Sequence, residues 1–128
     1  MTASALATEP YVLLTTFRES GAPVGTPVWV VPGLDGLLVT TADSSGKVKR
    51  IRRNSTVQLV PCDVRGTVPE GAVPISGTAR VLDDADSRAA IDLALEKKYG
   101  FKYKAIRAAG KLRRSASESV VVRIIPEG

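Results

Sequence analysis

Short runs of β-branched and aromatic residues, separated by turn residues, are the feature that most limits how this chain can fold. The first run is Tyr11–Phe17, and the turn-forming segment Glu19–Pro23 follows it. Runs of this type predict β-strands, and short connections make consecutive strands antiparallel neighbours. The sequence therefore predicts an antiparallel sheet or barrel, with strands over 11–17, 24–31, 37–41, 56–60, 73–82 and 118–125.

Two prolines affect where these strands lie in the sheet and where they end. Pro27 lies inside the second run, which predicts an edge strand or a bulge because proline has no N–H for a sheet ladder. Pro61 is expected to end or bend the fourth strand.

Three helices are predicted between the strands. The first follows the capping segment Asp43–Gly46 and stops at Asn54, with Val48 and Ile51 on its apolar side. The second is capped within Asp83–Asp86 and runs to Tyr99, and Gly100 ends it. Its apolar stripe consists of Ala90, Ile91, Ala94 and Leu95. A third, basic helix is expected over 101–109, with Tyr103 and Ile106 on one face.

The chain has 128 residues, which predicts one domain over 1–128, with a flexible N-terminus over 1–9. It has no histidine and one cysteine, which excludes histidine-based nucleophile systems, histidine zinc sites and intrachain disulfides. Cys62 is expected to be a buried structural thiol, with a place in the lining of a cleft as the alternative. No signal peptide or membrane span is expected, and we predict a cytoplasmic protein.

The positive charge is concentrated in two segments. Segment 47–53 holds five basic residues and segment 97–114 holds eight, and neither contains an acid. The rest of the chain has 5 basic and 13 acidic residues, so its net charge is −8. Segment 47–53 has no aromatic residue to stack on a base, and the pattern does not favour nucleic-acid binding.

The segment 37–54 predicts an anion site. Its strand ends in Thr40 and Thr41, and the capping segment with Ser45 leads into a helix that starts near Lys47. Free N–H groups at a helix N-terminus, hydroxyls and cationic side chains are the groups that bind phosphate. The same residues also fit an ordinary capped helix with a solvated basic face, and composition does not separate the two.

Three segments, Gly21–Val31, Gly36–Thr41 and Ser45–Asn54, resemble the split β-barrel flavin and deazaflavin proteins. This family includes pyridoxamine 5′-phosphate oxidases and the small actinobacterial enzymes that use the deazaflavin coenzyme F-420, and the likeness is greatest to the latter branch. The resemblance covers nearly the whole chain. It implies a mainly β (α+β) fold, an antiparallel split β-barrel of the FMN-binding type with a few peripheral helices.

The resemblance also implies a homodimer with two cofactor sites in clefts between the subunits. By similarity, the backbone of the second strand lies along the coenzyme ring, and Trp29 faces either the core or the cofactor. The cofactor-binding residues that the resemblance implies are Thr26, Pro27 and Val28 at the ring, Thr40, Thr41, Ser45 and Lys47 at the phosphate, and Lys49, Arg50 and Arg53 at the phosphate or acidic tail.

The activity that the resemblance implies is transfer of a hydride from reduced coenzyme F-420 to a small conjugated organic substrate. The lack of histidine puts pyridoxamine phosphate in doubt as the substrate, since the enzymes that oxidise it carry additional basic and histidine residues. FMN in the same fold and a non-catalytic F-420-binding or storage protein are the alternatives. No metal is expected. The proton donor stays open among Tyr99, Tyr103, a lysine or arginine, and water.

Overall fold

A computed structural model of the chain describes residues 3–33, 36–100 and 119–127. The predicted helix over 101–109, with Tyr103, lies outside the described residues. The elements in chain order are α1 (Ala3–Ala7), β1 (Tyr11–Phe17), β2 (Pro23–Val28), β3 (Val31–Pro32), β4 (Leu37–Ala42), α2 (Gly46–Arg53), β5 (Thr56–Cys62), β6 (Ile75–Leu82), α3 (Ala85–Tyr99) and β7 (Ser119–Pro126).

The seven strands form one antiparallel sheet in the order β2-β1-β5-β6-β7-β4-β3. Its two edge strands, β2 and β3, are separated in the chain only by Trp29 and Val30. Two extended residues span on the order of 10 Å, so the sheet has to curl until its edges approach each other. This curled antiparallel sheet with few helices confirms the predicted split-barrel fold.

The strand predicted over 24–31 is wrong in one respect, because the structure divides it into β2 and β3. Trp29 and Val30 carry the chain from one sheet edge to the other, which a continuous strand could not do. The edge position predicted from Pro27 is confirmed, since β2 pairs with β1 alone.

The strand predicted over 56–60 does not end at Pro61, because β5 continues to Cys62. Pairing of β5 with β6 stops at Leu59, whereas pairing with β1 continues to Cys62. Pro61 therefore lies where β5 has a sheet partner on one side only, a position at which the missing N–H is tolerated.

Alternate residues of the strands fill the concave side of the sheet, including Val12 and Leu14 of β1 and Val122 and Ile124 of β7. Helix α2 closes this core with Ile51, and its Val48 is also fully buried, as the sequence predicts. The segment expected to be flexible contributes as well: α1 places Leu6 in the same core with no exposed surface.

Helix α3 packs on the other side of the sheet, where Ile91 and Leu95 contact Val31 and Val121. Of the predicted apolar stripe, Ala94 is half-buried and Ala90 is exposed, so the buried face is narrower than expected. The predicted ends are confirmed. Asp84 caps the first turn by accepting a hydrogen bond from the Ser87 amide, and the chain leaves the helix at Gly100.

Candidate functional site

The turn between β4 and α2 brings two hydroxyl side chains to the start of the helix. The amide of Val48 donates to Ser45 Oγ at 3.4 Å, which makes Ser45 the N-cap of α2. Thr41, near the end of β4, donates from its hydroxyl to the same oxygen at 3.3 Å. Because this is the positive end of the helix dipole, the two hydroxyls and the free amides of the first turn form a potential anion-binding surface.

Arg50 folds back over this first turn. Its Nε donates to the hydroxyl of Thr16 on β1 at 2.6 Å. A Cβ on Gly46 would lie 2.7 Å from Arg50 Nη1, so the absence of a side chain at Gly46 gives the guanidinium its place. A cation at a helix N-terminus is opposed by the helix dipole, so an anion bound there would stabilise its position.

Lys47 adds a second cation at the same end of α2. Its side chain is half-buried, and burial, followed by the charge of Arg50, lowers the pKa of its ammonium. The first turn of α2 has no acidic residue. Within the described part of the chain, the salt bridges of this region involve other arginines, so Lys47 and Arg50 have no carboxylate partner.

The remaining cations of α2 point elsewhere. Arg52 bonds to Asp43 at 3.0 Å, and Arg53 lies 3.5 Å from Glu19. The side chain of Lys49 is exposed. Of the five basic residues that the sequence grouped together, the structure places Lys47 and Arg50 at the N-terminus of the helix.

Thr40 and Thr41 are adjacent on β4 and so face opposite sides of the sheet. Thr40 pairs with Val121, a residue of the side that α3 covers, while Thr41 turns towards Ser45. The two threonines predicted at one pocket are therefore not equivalent.

The predicted ring-binding strand β2 lies at the sheet edge, where part of its backbone is free of a neighbouring strand. Val28 packs its side chain in the core, and Thr26 faces the same side, opposite Leu14. Pro27 faces outwards beside Leu13, and Gly66 of the loop between β5 and β6 lies close to both. Contacts from Val28 to a ligand would have to come from its backbone.

A second group of contacts joins the end of α3 to the chain on either side of it. The Tyr99 ring stacks on Trp29 with centroids 4.3 Å apart and planes 9° apart. Its hydroxyl donates to the carbonyl oxygen of Pro10 at 2.9 Å and accepts from the Val30 amide at 3.3 Å. Of the two positions expected for Trp29, facing the core or the cofactor, the core position fits this packing, in which Trp29 contacts the apolar group around α3.

Lys98 is a residue of this group that the sequence did not single out. Its ammonium donates to the carbonyl oxygens of Glu9 (2.6 Å) and Val30. Burial lowers the pKa of Lys98 to about 8, and the charge of Glu9 opposes that shift. In the sequence, Lys98 is marked only as one of the basic residues at the end of α3. That pattern does not predict its carbonyl partners, which are 68 and 89 residues away in the chain.

Tyr99 was one of the candidate proton donors, and the structure gives its hydroxyl another use. Burial raises the pKa of Tyr99 to about 12, with the Val30 hydrogen bond acting in the opposite direction. A phenol held in this way is a poor acid near neutral pH. We therefore assign Tyr99 to holding α3 against the segment between β2 and β3.

This assignment predicts a pH effect on stability. Because the pKa of Tyr99 is about 12 in the folded protein and 10.0 otherwise, its stabilising contribution is complete below pH 10 and is lost as the pH rises towards 12. Tyr99→Phe should cost about 1 kcal/mol at pH 7, and its deficit should shrink above pH 10. Urea unfolding at pH 7, 9, 10 and 11 tests this. A stability deficit that stays constant across these pH values would contradict the assignment. Lys98 titrates in both proteins, so its titration does not change the difference between them.

Cys62 is buried, as expected, and burial together with Asp63 raises the pKa of its thiol. It is thus a poor nucleophile at neutral pH. The described residues contain no group of three histidine, cysteine, aspartate or glutamate side chains that could hold a metal ion. Nor is any helix among them long and apolar enough to cross a membrane.

Comparison with protein-family models gives a match to pyridoxamine 5′-phosphate oxidase over residues 2–128. No curated protein matches the chain in sequence. The match to the family model covers nearly the whole chain and includes every element described above.

Solved structures with the same fold have low sequence identity. A structure described as an F420 reductase has a TM-score of 0.64 at 17% identity, over 98% of this chain and 93% of that one. An FAD-binding protein from Mesorhizobium loti has a TM-score of 0.65 at 15% identity, over 100% and 90% of the two chains. The heme storage protein HutZ from Vibrio cholerae has a TM-score of 0.70 at 13% identity, over 98% and 87%.

Proposed function

Because this chain belongs to the pyridoxamine 5′-phosphate oxidase family, we propose that it binds a phosphate-bearing flavin-type coenzyme and acts as an oxidoreductase. We further propose that the coenzyme is F-420 and that the substrate is a small conjugated organic molecule. The observation that carries the proposal is the pair of cations, Lys47 and Arg50, at the N-terminus of α2 without a carboxylate partner in the described chain.

The phosphate subsite consists of the first turn of α2 and the side chains around it. Its backbone amides, the hydroxyls of Ser45 and Thr41, and the cations Lys47 and Arg50 would hold the phosphate. An anion there would accept hydrogen bonds from the free amides. It would also offset the unfavourable electrostatic energy of two cations at the positive end of a helix. Charge-assisted bonds of this kind are among the stronger hydrogen bonds in proteins.

The deazaflavin is favoured over FMN by charge. Coenzyme F-420 carries a phosphodiester and an oligoglutamate tail, so it is the more anionic of the two. The exposed Lys49 and the weakly paired Arg53 are available on the same helix for an acidic tail. The neighbour described as an F420 reductase supports this choice, whereas the FAD-binding neighbour keeps a flavin as the alternative.

The chain's own contribution to the reaction would be binding, orientation and exclusion of water. When bound, the reduced deazaflavin would supply a hydride from its ring carbon. The edge strand β2, over Thr26–Val28, would orient the ring through backbone groups, while α2 holds the phosphate. Since the Tyr99 hydroxyl is bonded to Pro10, we do not assign the proton to Tyr99, and Tyr103, a lysine or arginine, and water stay open as its donor.

A second copy of the chain would complete the ring cleft. The family resemblance implies a homodimer with a cofactor site between the subunits, and β2, which lies at a sheet edge, would face that cleft. A non-catalytic binding or storage protein is the alternative from another class. The heme storage neighbour shares the fold, but this chain has no histidine to serve as an axial heme ligand.

Titration with the two coenzymes tests the proposal. Coenzyme F-420 fluorescence should be quenched with low-micromolar affinity, and FMN should bind more weakly because it carries less negative charge. Reduced F-420 with an enone or a quinone should then show oxidation of the coenzyme, followed by its visible absorbance. Equal or tighter binding of FMN would reject the preference for F-420, and tight binding without turnover would favour the storage protein.

A further inference from the structure

Thr16 interrupts the apolar inner face of β1. The inward positions of this strand are Val12, Leu14 and Thr16, and all three have no exposed surface. Thr16 is the one polar residue that is fully buried in the described part of the chain. A valine of nearly the same shape would continue the pattern without burying a hydroxyl, so the threonine needs a reason other than packing.

The hydroxyl of Thr16 has one use that the structure shows. It accepts a hydrogen bond of 2.6 Å from Arg50 Nε, across 34 residues of sequence, between the strand and α2. A short bond to a charged donor in a buried place is stronger than an average neutral hydrogen bond. It offsets the cost of burying the hydroxyl and joins the core to the cation of the candidate phosphate site.

This bond fixes the orientation of the guanidinium. Arg50 uses Nε for Thr16, so its two terminal nitrogens keep their N–H donors for another partner. Nη1 lies over Gly46, at the first residue of α2, where any Cβ would come within 2.7 Å of it. The planar group is thereby held between a buried acceptor and the helix N-terminus, and a planar pair of donors matches the oxygens of a phosphate.

We propose that Thr16 is a positioning residue, which binds Arg50 Nε and so aims the terminal nitrogens of the guanidinium at the coenzyme phosphate. The inference rests on the proposed phosphate subsite at α2 and adds to it a residue from the barrel core. Preorganisation is the physical gain, because a long flexible side chain that is already in place loses less freedom when the ligand binds.

The test separates phosphate affinity from ring affinity. Thr16→Val should weaken binding of coenzyme F-420 by about 5- to 15-fold, the loss expected for one hydrogen bond of ordinary strength, because Thr16 acts through Arg50 and does not touch the phosphate. Binding of the deazaflavin chromophore that lacks the phosphate and tail should be unchanged. Thr16→Ser keeps the hydroxyl and should restore most of the affinity. Because valine suits the buried position, Thr16→Val should melt no lower than the parent protein.

A double-mutant cycle identifies where the effect acts. Arg50→Ala should weaken F-420 binding, and Thr16→Val should have no further effect in that background. Equal losses for the two ligands, or a full additional loss in the Arg50→Ala background, would overturn the positioning role. If Arg50→Ala weakens binding but Thr16→Val does not, the positioning role fails alone. If Arg50→Ala itself has no effect, the phosphate subsite fails and the positioning role with it.

Discussion

Lys47→Ala is expected to weaken coenzyme binding by about 1.5–3 kcal/mol, or roughly 10- to 150-fold. The ammonium is half-buried at the N-terminus of α2 beside Arg50, with no carboxylate partner in the described chain, and a phosphate there would bond directly to it. Fluorescence titration with coenzyme F-420 at fixed ionic strength measures the loss. The phosphate-free chromophore should bind equally well to both proteins.

Arg52→Ala is the matched control for this variant. It removes one positive charge from the same helix, but Arg52 is exposed and bonded to Asp43 at 3.0 Å. Loss of an exposed pair changes stability by less than about 1 kcal/mol and should leave coenzyme affinity nearly constant. If the two variants weaken binding alike, net charge rather than the α2 N-terminus attracts the coenzyme. An unchanged affinity in Lys47→Ala would contradict the placement of the phosphate.

The pH dependence of binding gives a second readout on Lys47. Burial and Arg50 lower the pKa of its ammonium, so this cation is lost at a lower pH than an exposed lysine would be. Coenzyme affinity should therefore fall as the pH rises towards 10.5, the ordinary lysine value. Lys47→Arg should bind with a flatter profile, because a guanidinium stays charged throughout.

Gly36→Ala is expected to destabilise the fold by about 3 kcal/mol, at the upper end of typical overpacking costs. Gly36 precedes β4, and a Cβ there would lie 2.1 Å from the carbonyl oxygen of Ile124 on β7. Since that neighbour is backbone in a paired strand, the strands would have to separate. The same strand carries Thr41 to the phosphate subsite, so coenzyme binding should fall as well. The midpoint of urea unfolding at constant slope measures the change.

Gly21→Ala supplies the comparison for that variant. Gly21 lies in the turn between β1 and β2, where a Cβ meets nothing within 4 Å but φ is +91°. The expected cost is about 1 kcal/mol, from backbone strain alone. Gly36→Ala should lose clearly more than this. Equal losses at the two sites would show that β7 accommodates the additional methyl group and that the close approach is not required.

Local patterns were sufficient wherever the cause of a structure lies within a few residues. The capping segments Asp43–Gly46 and Asp83–Asp86 and the helix end at Gly100 were identified because capping uses amides and carbonyls of the adjacent turn, and the structure makes Ser45 and Asp84 the cap residues. The antiparallel sheet followed from short runs joined by turns. The division of the run 24–31 into two strands could not be predicted in this way. It depends on how far the whole sheet curls, and the residues near the break do not determine that curl.

In the candidate site, too, some features follow from local sequence and others from the tertiary structure. The sequence by itself determined that five cations lie on one short helix behind an N-cap, since charge and helical capping are written in residue order. Only the tertiary structure decided which cations remain at the helix start. Thr16 from the core holds the Arg50 side chain back over the helix start, whereas Arg53, in the last turn of α2, lies 3.5 Å from Glu19 of a distant turn. A long arginine side chain can reach several partners, and the partner it takes depends on which strands the fold brings beside it.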